Sequence, residues 1–578
     1  MCGIAGLYSP AEKLQPGRIA PMVEILTHRG PDEGGVYESE RVHLGSRRLK
    51  VIDLVSGTQP IYSEDRGVVV VYNGEIFNYR QLRSELQAAG HTFATQSDTE
   101  VLVHGYEQWG ERLVDRLNGQ FAFAIWDGKR LFLARDRMGE KPLYYARDGR
   151  RLIFASEIKA ILKEFPSAPA VDESFWVFDT EVLGRTIFEG IREVPPAHLL
   201  TFDGDVLDVR AYWQIPAGPI ADRSESDLVE ELRTLLIDAV NIRMVADVPV
   251  GMFLSGGIDS AAIACIARPE TAFSCHFPLG ESFEEIEYAK LVAERIGARH
   301  TIVRPTPEQF RDRLGRIVWY LDQPIATAST ISEFLLAESA RDQGIKVILG
   351  GQGADEIFAG YVRYLFMLAE ERLAQVEELA NYHALARFFW NKFAFGDPAE
   401  RYFELIRRTQ PEDRDAYVHL VRDLFSRHEA LLDKMGHFDA LVSLPSLLTM
   451  NDRACAAHGL ENRCPFLDHR IVEFAFTLPP TMKIDGYTTK AILRKALRGI
   501  VPDPILDRKD KKGLVVPFQQ WLNGPLRPWA DALVDKLGRR LDLPSGFNGR
   551  GGFDRSLYTR VCLELWFENF FPDWPNVS

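Results

Sequence analysis

The sequence predicts two domains of different class, an α+β unit followed by an α/β unit built on a parallel sheet. Two patterns carry this reading. Over the first two hundred residues, short apolar runs end in Asn-Gly or Asp-Gly and flank a helical stretch, as in an antiparallel sheet mixed with helices. From about Ser226 onward, strand-like and helix-like segments alternate, which implies right-handed crossovers and a parallel sheet covered on both faces. The chain has 578 residues, 46% apolar, 26% charged and 11% aromatic. That composition excludes disorder, collagen and coiled coil, and at roughly 100–200 residues per domain the length accommodates more than one core.

The elements follow in order. Gly67–Tyr72 is an apolar run closing at Asn73-Gly74, and Asn78–Ala89 has the helical spacing of Leu82 and Leu86. Phe121–Trp126 turns at Asp127-Gly128 into Arg130–Arg135, a hairpin. Gln214–Arg223 contains Pro216, Gly218 and Pro219 and reads as a linker, so the chain divides into residues 2–205, a linker over 206–225, and 226–578. Beyond it, strands are expected at Val248–Leu254, Ala272–Phe277, Arg299–Val303 and Lys346–Leu349. Helices are expected at Ile258–Ala267, Tyr288–Ile296 and Thr330–Arg341. Tyr361 to about Leu444 is charged with a helical period, and the aromatic tail Leu563–Trp574 reads as a helix packed on the core or at a subunit contact.

Lys+Arg 68 against Asp+Glu 82 leaves a net charge of −14, which argues against nucleic acid or an anionic membrane as the main partner. Six scattered cysteines form no disulfide framework, and neither a leader-like N-terminus nor a long uncharged apolar run is present. The expectation is a cytoplasmic protein that binds small molecules, with no nucleic acid, no membrane and no tightly bound organic cofactor, and with a homodimer as a compatible assembly. Cys265 and Cys275 read as small core hydrophobes. Cys455 and Cys464 lack zinc-like spacing.

Cys2 follows the initiator methionine and is small enough to permit its removal, which would place a thiol and a free α-amine on one residue. With an amine pKa of about 7.7–8.0, that residue can supply both nucleophile and base. If Met1 stays, Cys2 has no free amine. Amide chemistry also needs oxyanion donors. Asn73-Gly74 offers a side-chain amide and an uncrowded N–H, although Asn-Gly is equally the signature of a plain type I′ turn. Arg48, Glu75 and Asp98 are a cation and two anions suited to an amino acid's own charges.

MCGIAGL, HRGPD (His28–Asp32), SRRLKVID (Ser46–Asp53), YNGEIFNY (Tyr72–Tyr79), SDTEV (Ser97–Val101), NGQFAFAIWD (Asn118–Asp127) and ARDRMGEKPLYY (Ala134–Tyr145) together resemble the class II glutamine amidotransferase domain. The resemblance implies an N-terminal-nucleophile (αββα) glutaminase domain in which Cys2 attacks the glutamine side-chain amide and releases ammonia. It implies an oxyanion hole at Asn73 and Gly74, and glutamine contacts at Arg48, the Val51 backbone, Glu75 and Asp98.

In the second unit, VGMFLSGGIDS (Val250–Ser260) is a strand, a Ser-Gly-Gly loop and a helix beginning near Asp259. Backbone N–H groups at such a helix start cradle anions, with Ser255 and Ser260 as added donors. A tight strand-to-helix turn would read the same way. No Gly-Lys-Ser/Thr follows, which argues against a Walker-type loop. A second glycine loop lies in VILGGQGADEIFAGY (Val347–Tyr361). There Asp355 can share Mg²⁺ with Asp259, and Lys490 is the candidate cation for the departing phosphates. SGGIDS resembles the loop of ATP pyrophosphatases, and ENRCPFLDHRIVEF (Glu461–Phe474) and TKAILRKAL (Thr489–Leu497) resemble asparagine synthetase-type domains. The whole chain thus resembles the glutamine-hydrolysing asparagine synthetase family. That implies an ATP pyrophosphatase domain with added helices, ATP bound with Mg²⁺ and cleaved to AMP and pyrophosphate, and a carboxylate adenylated and converted to an amide. ATP contacts are expected at Phe253, Leu254, Ser255, Gly256, Gly257, Asp259, Ser260, Gly350 and Gly351, and the acceptor region at Thr327, Ser329, Thr330 and Gln352.

Two positions depart from the family pattern. Gln352 stands where the well-studied members have glutamate, and an amide cannot act as a base near neutrality. Thr327 stands where they have arginine, a bidentate carboxylate anchor. The acceptor is therefore L-aspartate or another carboxylic acid, with a catalytically silent binding subunit as the third reading.

Overall fold

The computed structural model describes residues 1–178, 180, 182–218, 223–278, 285–324, 329–374, 396–508, 516–541 and 556–574. The first domain is a sandwich of two six-stranded antiparallel sheets flanked by helices. One sheet is centred on Arg151–Ala155, Gly3–Tyr8 and Val42–Arg48; the other is centred on Leu131–Arg135, Gly119–Trp126 and Val69–Ile76. The period of two along each strand assigns the layers. Val69 and Val71 point between the sheets against Ile4 and Leu44, while Val70 and Tyr72 face the helices Tyr79–Ala88 and Glu100–Trp109. Helix, sheet, sheet and helix is the αββα arrangement that the resemblance implies.

The hairpin Phe121–Trp126 to Arg130–Arg135 and the helix after Asn78 form as their patterns predict. Asn73-Gly74 does not turn the chain. The strand continues through both residues to Ile76, with Asn73 opposite Ala122 and Gly74 opposite Phe121. Gly74 has φ +153°, and a Cβ there would meet the Gln120 carbonyl at 2.1 Å, so the strand passes only because the residue is glycine. The stretch read as linker contains the strand Leu207–Ala211, which pairs with His198–Phe202 in the second sheet; residues 219–222 lie outside the described residues.

The second domain has a five-stranded parallel sheet in the order Arg299–Val303, Thr271–Cys275, Val250–Phe253, Val347–Leu349, Glu461–Arg463. Four of these strands follow from apolar runs. The fifth, Glu-Asn-Arg, has no apolar pattern at all and is buried by its neighbours. The helix Pro307–Leu321, capped by Thr306 and Gln309 in a reciprocal box, is also additional to the sequence reading. The aromatic tail forms the helix Ser556–Phe570. Its Trp566 is wholly buried, packs on Phe188 of the first domain, and donates from Nε1 to the Asp322 carbonyl at 2.8 Å. Among the described residues no helix is long and apolar enough to cross a membrane.

A fully buried set of charges seams the two domains together. Glu157 of the first domain meets Arg29 at 2.9 Å and Arg453 of the second domain at 2.5 Å. Asp322 meets Lys159 at 2.7 Å and Arg453 at 3.2 Å, and Asp452 meets Arg29 at 3.0 Å. Removing one member leaves a buried charge without its partner. Arg453→Ala is expected to lower unfolding stability by about 3–5 kcal/mol, read as a shift in the urea midpoint. Lys13→Ala, at the exposed pair with Glu40, is expected to leave that midpoint unchanged.

Candidate active sites

Cys2 sits at the start of the strand Gly3–Tyr8, buried, with its thiol pushed above the ordinary value by burial. Its backbone N–H donates to Asn73 Oδ1 at 3.0 Å. Asn73 is fully buried, and its Nδ2 finds no partner among the described residues. A buried donor without an acceptor is costly in the resting protein, and an oxyanion formed at Cys2 would supply what it lacks. Gly74 adds the adjoining backbone.

Arg48 is anchored by Glu33 Oε1 at 2.7 Å and by the Ile52 and Asp53 carbonyls at 2.9 and 2.7 Å. The Val51 carbonyl accepts from Asp247 N at 2.9 Å. Asp98 accepts from the Tyr72 hydroxyl at 2.9 Å and Ile76 N at 3.0 Å, and burial raises its carboxyl above the usual range. Burial and then the neighbouring Asp98 charge push Glu75 well up. Glu75 Oε2 meets Arg463 at 2.9 Å, while Oε1 has no hydrogen-bond partner among the described residues. Two buried carboxylates with this surplus of negative charge form a site that an ammonium group would stabilise.

Met1 lies in front of Cys2 and is fully buried, packed with Phe273, Leu336, Ile348 and Leu460 of the second domain. Burial lowers its amine to about 6. With Met1 in place, the nitrogen of Cys2 is an amide and cannot take the thiol proton.

In the second domain, a cavity of about 340 Å³ opens between the two glycine loops, lined by Ser255, Asp259, Gly351, Gln352 and Asp355 among others. Phe253, Leu254, Ser260, Gly350 and Ser329 also border it. Gly256, at φ +82°, can only be glycine, because a Cβ would meet the Glu285 carbonyl at 2.8 Å and Ala289 N at 2.9 Å. Ser255 Oγ lies 3.0 Å from Ser260 Oγ and accepts from Gly257 N at 3.3 Å, which folds the loop over the start of the helix Ile258–Ala267. Lys490 is buried and holds a left-handed φ of +55°. Its Nζ stands 2.6 Å from Asp259 Oδ1 and 2.6 Å from Asp355 Oδ1, so a cation occupies the space between the two carboxylates. Thr330 is buried at the head of its helix, and Thr327 lies outside the described residues. Cys275 borders the cavity and is only partly buried, unlike Cys265.

Two further cavity carboxylates, Glu333 and Glu356, receive no role in the sequence reading. Glu333 accepts from Asn451 Nδ2 at 3.0 Å, and burial raises its carboxyl to about 7. Glu356 accepts from the Tyr361 hydroxyl, and burial with the Asp355 charge raises it to about 7. Glu333 falls on the buried face of a helix one turn beyond Ser329, so only an apolar-face position occupied by glutamate could have flagged it.

The asparagine synthase family matches residues 231–562, and the glutamine amidotransferase domain matches residues 1–213. Asparagine synthetase [glutamine-hydrolyzing] 3 of Bacillus subtilis is 35% identical over 541 residues, covering 88% of this chain and 86% of that protein. Asparagine synthetase [glutamine-hydrolyzing] 1 of the same organism is 32% identical over 577 residues, covering 93% and 90%. Amidase chry2 of Gibberella zeae is 29% identical over 623 residues, covering 93% and 92%.

Asn73→Ala is expected to lower the glutaminase kcat by about 10²–10³ while leaving amide formation from added ammonia unchanged, measured by parallel glutamate and amide assays. The intact mass of active protein is expected to lack Met1. A preparation that retains Met1 is expected to show no glutaminase while still using ammonia.

Proposed function

The chain belongs to the asparagine synthase family, and from that premise we propose that it converts L-aspartate to L-asparagine with nitrogen from glutamine. It is a glutamine-hydrolysing asparagine synthetase-type amidotransferase; aspartate as the acceptor and the residue roles below are our reading.

In the processed chain, the Cys2 α-amine takes the thiol proton and the sulfur attacks the glutamine side-chain carbonyl. Asn73 Nδ2 and the Gly74 N–H receive the oxyanion, Arg48 and the Val51 backbone hold the α-carboxylate end, and Glu75 with Asp98 holds the ammonium. Ammonia leaves with a proton returned by the amine, and water frees glutamate from the thioester. Ammonia stays nucleophilic only where bulk water is excluded, and the buried interface behind Met1 meets that need.

In the other cavity, the loop Ser255–Gly257 with Ser260 and the loop Gly350–Gly351 cradle the phosphates of ATP. An acceptor carboxylate oxygen attacks the α-phosphorus as the bond to pyrophosphate breaks, and Lys490 follows the charge that pyrophosphate gathers. The hard carboxylate oxygens of Asp259 and Asp355 suit Mg²⁺, which would be held there once Lys490, bridging them at 2.6 Å, has turned to the pyrophosphate, and would neutralise the same developing charge. Ammonia then attacks the acyl carbon, AMP departs, and one proton must be removed from the attacking nitrogen.

Gln352 cannot take that proton. Glu333 and Glu356 are both carboxylates of this cavity raised to about 7. Glu356 is engaged by the Tyr361 hydroxyl, whereas Glu333 lies one helical turn from Ser329 on the acceptor side, and that position supports Glu333 as the base. The group acts when ionised, so amide formation at fixed free ammonia is expected to rise with pH up to about 7 and to level off above it. Glu333→Gln is expected to remove that limb and slow amide formation by about 10²–10⁴, while aspartate-dependent pyrophosphate release continues.

A second reading, amidation of a different carboxylic acid, is favoured by Gln352 and by Thr327 in place of arginine. The deciding measurement is pyrophosphate release with MgATP and glutamine over a panel of acids, with the amide identified by mass spectrometry. Stoichiometric asparagine from aspartate supports the first reading. Silence with aspartate and turnover of another acid replaces it with the second.

A further inference from the structure

We propose that the first domain carries a structural zinc ion held by Glu64, His91, His104 and Glu107, where the turn before Val69–Ile76 meets the helix Glu100–Trp109. The four side chains come from three segments. Glu64 is in the turn before the strand Val69–Ile76, His91 follows the helix Tyr79–Ala88, and His104 and Glu107 lie one turn apart on the helix Glu100–Trp109. One donor atom from each lies within 4.8 Å of all the others.

The four side chains converge closely enough to surround a small ion, either oxygen of Glu64 being within reach of it. His104 Nδ1 stands 3.3 Å from Glu64 Oε2 and 3.2 Å from Glu107 Oε2, and His91 Nδ1 stands 3.8 Å from Glu64 Oε1 and 3.7 Å from Glu107 Oε2. Nitrogen and oxygen ligands at zinc distances of about 2.0–2.2 Å give tetrahedral edges of about 3.4 Å, in the middle of those four values. Two imidazoles with two carboxylates suit zinc better than Mg²⁺ or Ca²⁺, which take oxygen ligands in larger number.

The outer contacts supply an independent observation. Both imidazoles turn the same atom, Nδ1, inward. Nε2 of His91 lies 3.4 Å from Gln108 Oε1, and Nε2 of His104 lies 3.6 Å from the buried Glu100 carboxylate, a charge contact longer than a hydrogen bond. Metal-bound histidines turn the second ring nitrogen toward a carboxylate or amide oxygen, and both rings face one here. A chance surface pairing of His with Glu does not require a ring as buried as His104, which is 1% exposed. Glu64 and Glu107 remain open to solvent on one side, which gives the ion its entry.

The site has a structural consequence for glutamine binding. Glu100, behind His104, accepts from Ala94 N at 2.6 Å, Thr95 N at 2.8 Å and Thr95 Oγ1 at 2.6 Å, and so fixes the loop that leads to Asp98. An ion that fixes His104 fixes Glu100 and, through it, that loop.

The experiment is metal analysis of the full chain after gel filtration, followed by chelator stripping and titration of the stripped protein with Co²⁺ and Zn²⁺. The expected result is one zinc per chain and, with Co²⁺, the intense visible bands of tetrahedral coordination. These are expected to be lost in His91→Ala and Glu107→Ala, both near the surface, and Zn²⁺ affinity is expected to fall about 10–100-fold in Glu100→Gln. Wild-type protein that takes up no stoichiometric Co²⁺ or Zn²⁺, or tetrahedral bands that survive in His91→Ala, would overturn the proposal. Stripping is also expected to raise KM for glutamine while leaving ammonia-dependent synthesis unchanged; an unchanged KM would sink the link to Asp98.

Discussion

The architecture depends on the buried charge seam between the domains. Burial alone would raise Glu157, yet Arg453, His28 and Lys159 hold its carboxyl well below the usual range. Asp452 is held low in the same way by Arg29 and Lys141. Such a seam gives little net stability compared with apolar packing, but it is unforgiving of misalignment, since separating the partners strands full charges away from water. It therefore fixes the register of one domain on the other. Two chemistries that exchange a small neutral molecule need that fixed register more than they need raw stability.

Much of the scaffold was legible because apolar periodicity and turn chemistry report backbone structure directly. Four of the five parallel strands, the hairpin at Asp127-Gly128 and the glycine loops all carry such marks. Glu461–Arg463 carried none, because its burial is provided by charges from the opposite domain rather than by its own side chains. Asn73-Gly74 offered a plain turn beside its oxyanion reading for a related reason, and the strand runs straight through it. The pair was chosen for a close backbone approach and a free amide, and a local rule cannot see Gln120 across the sheet.

The candidate sites were legible to different depths. Cys2, the anions Glu75 and Asp98, and the carboxylates flanking Lys490 stand in strong sequence blocks, and the fold gathers them. Glu333 and the His91–His104 cluster were invisible, since a carboxylate on an apolar helix face and two histidines thirteen positions apart gain meaning only from neighbours that the chain brings from elsewhere. Buried carboxylates are the common theme: Glu75 lies beside Asp98 with Arg463 as its resident cation, and Asp259 and Asp355 share the resident Lys490.

Arg463 has a place in both sites at once. Its guanidinium reaches Glu75 in the glutamine pocket and Glu461 beside it, and its carbonyl accepts from Gly350 N at 3.0 Å in the second glycine loop. An ammonium arriving at Glu75 competes with that guanidinium, and a phosphate arriving at Gly350 draws on the same peptide. One residue thus touches both proposed sites through its side chain and its backbone. Whatever factor the nucleotide imposes on glutamine affinity, glutamine imposes on the nucleotide, so a change at Arg463 alters the conversation between the substrates even where each still binds alone.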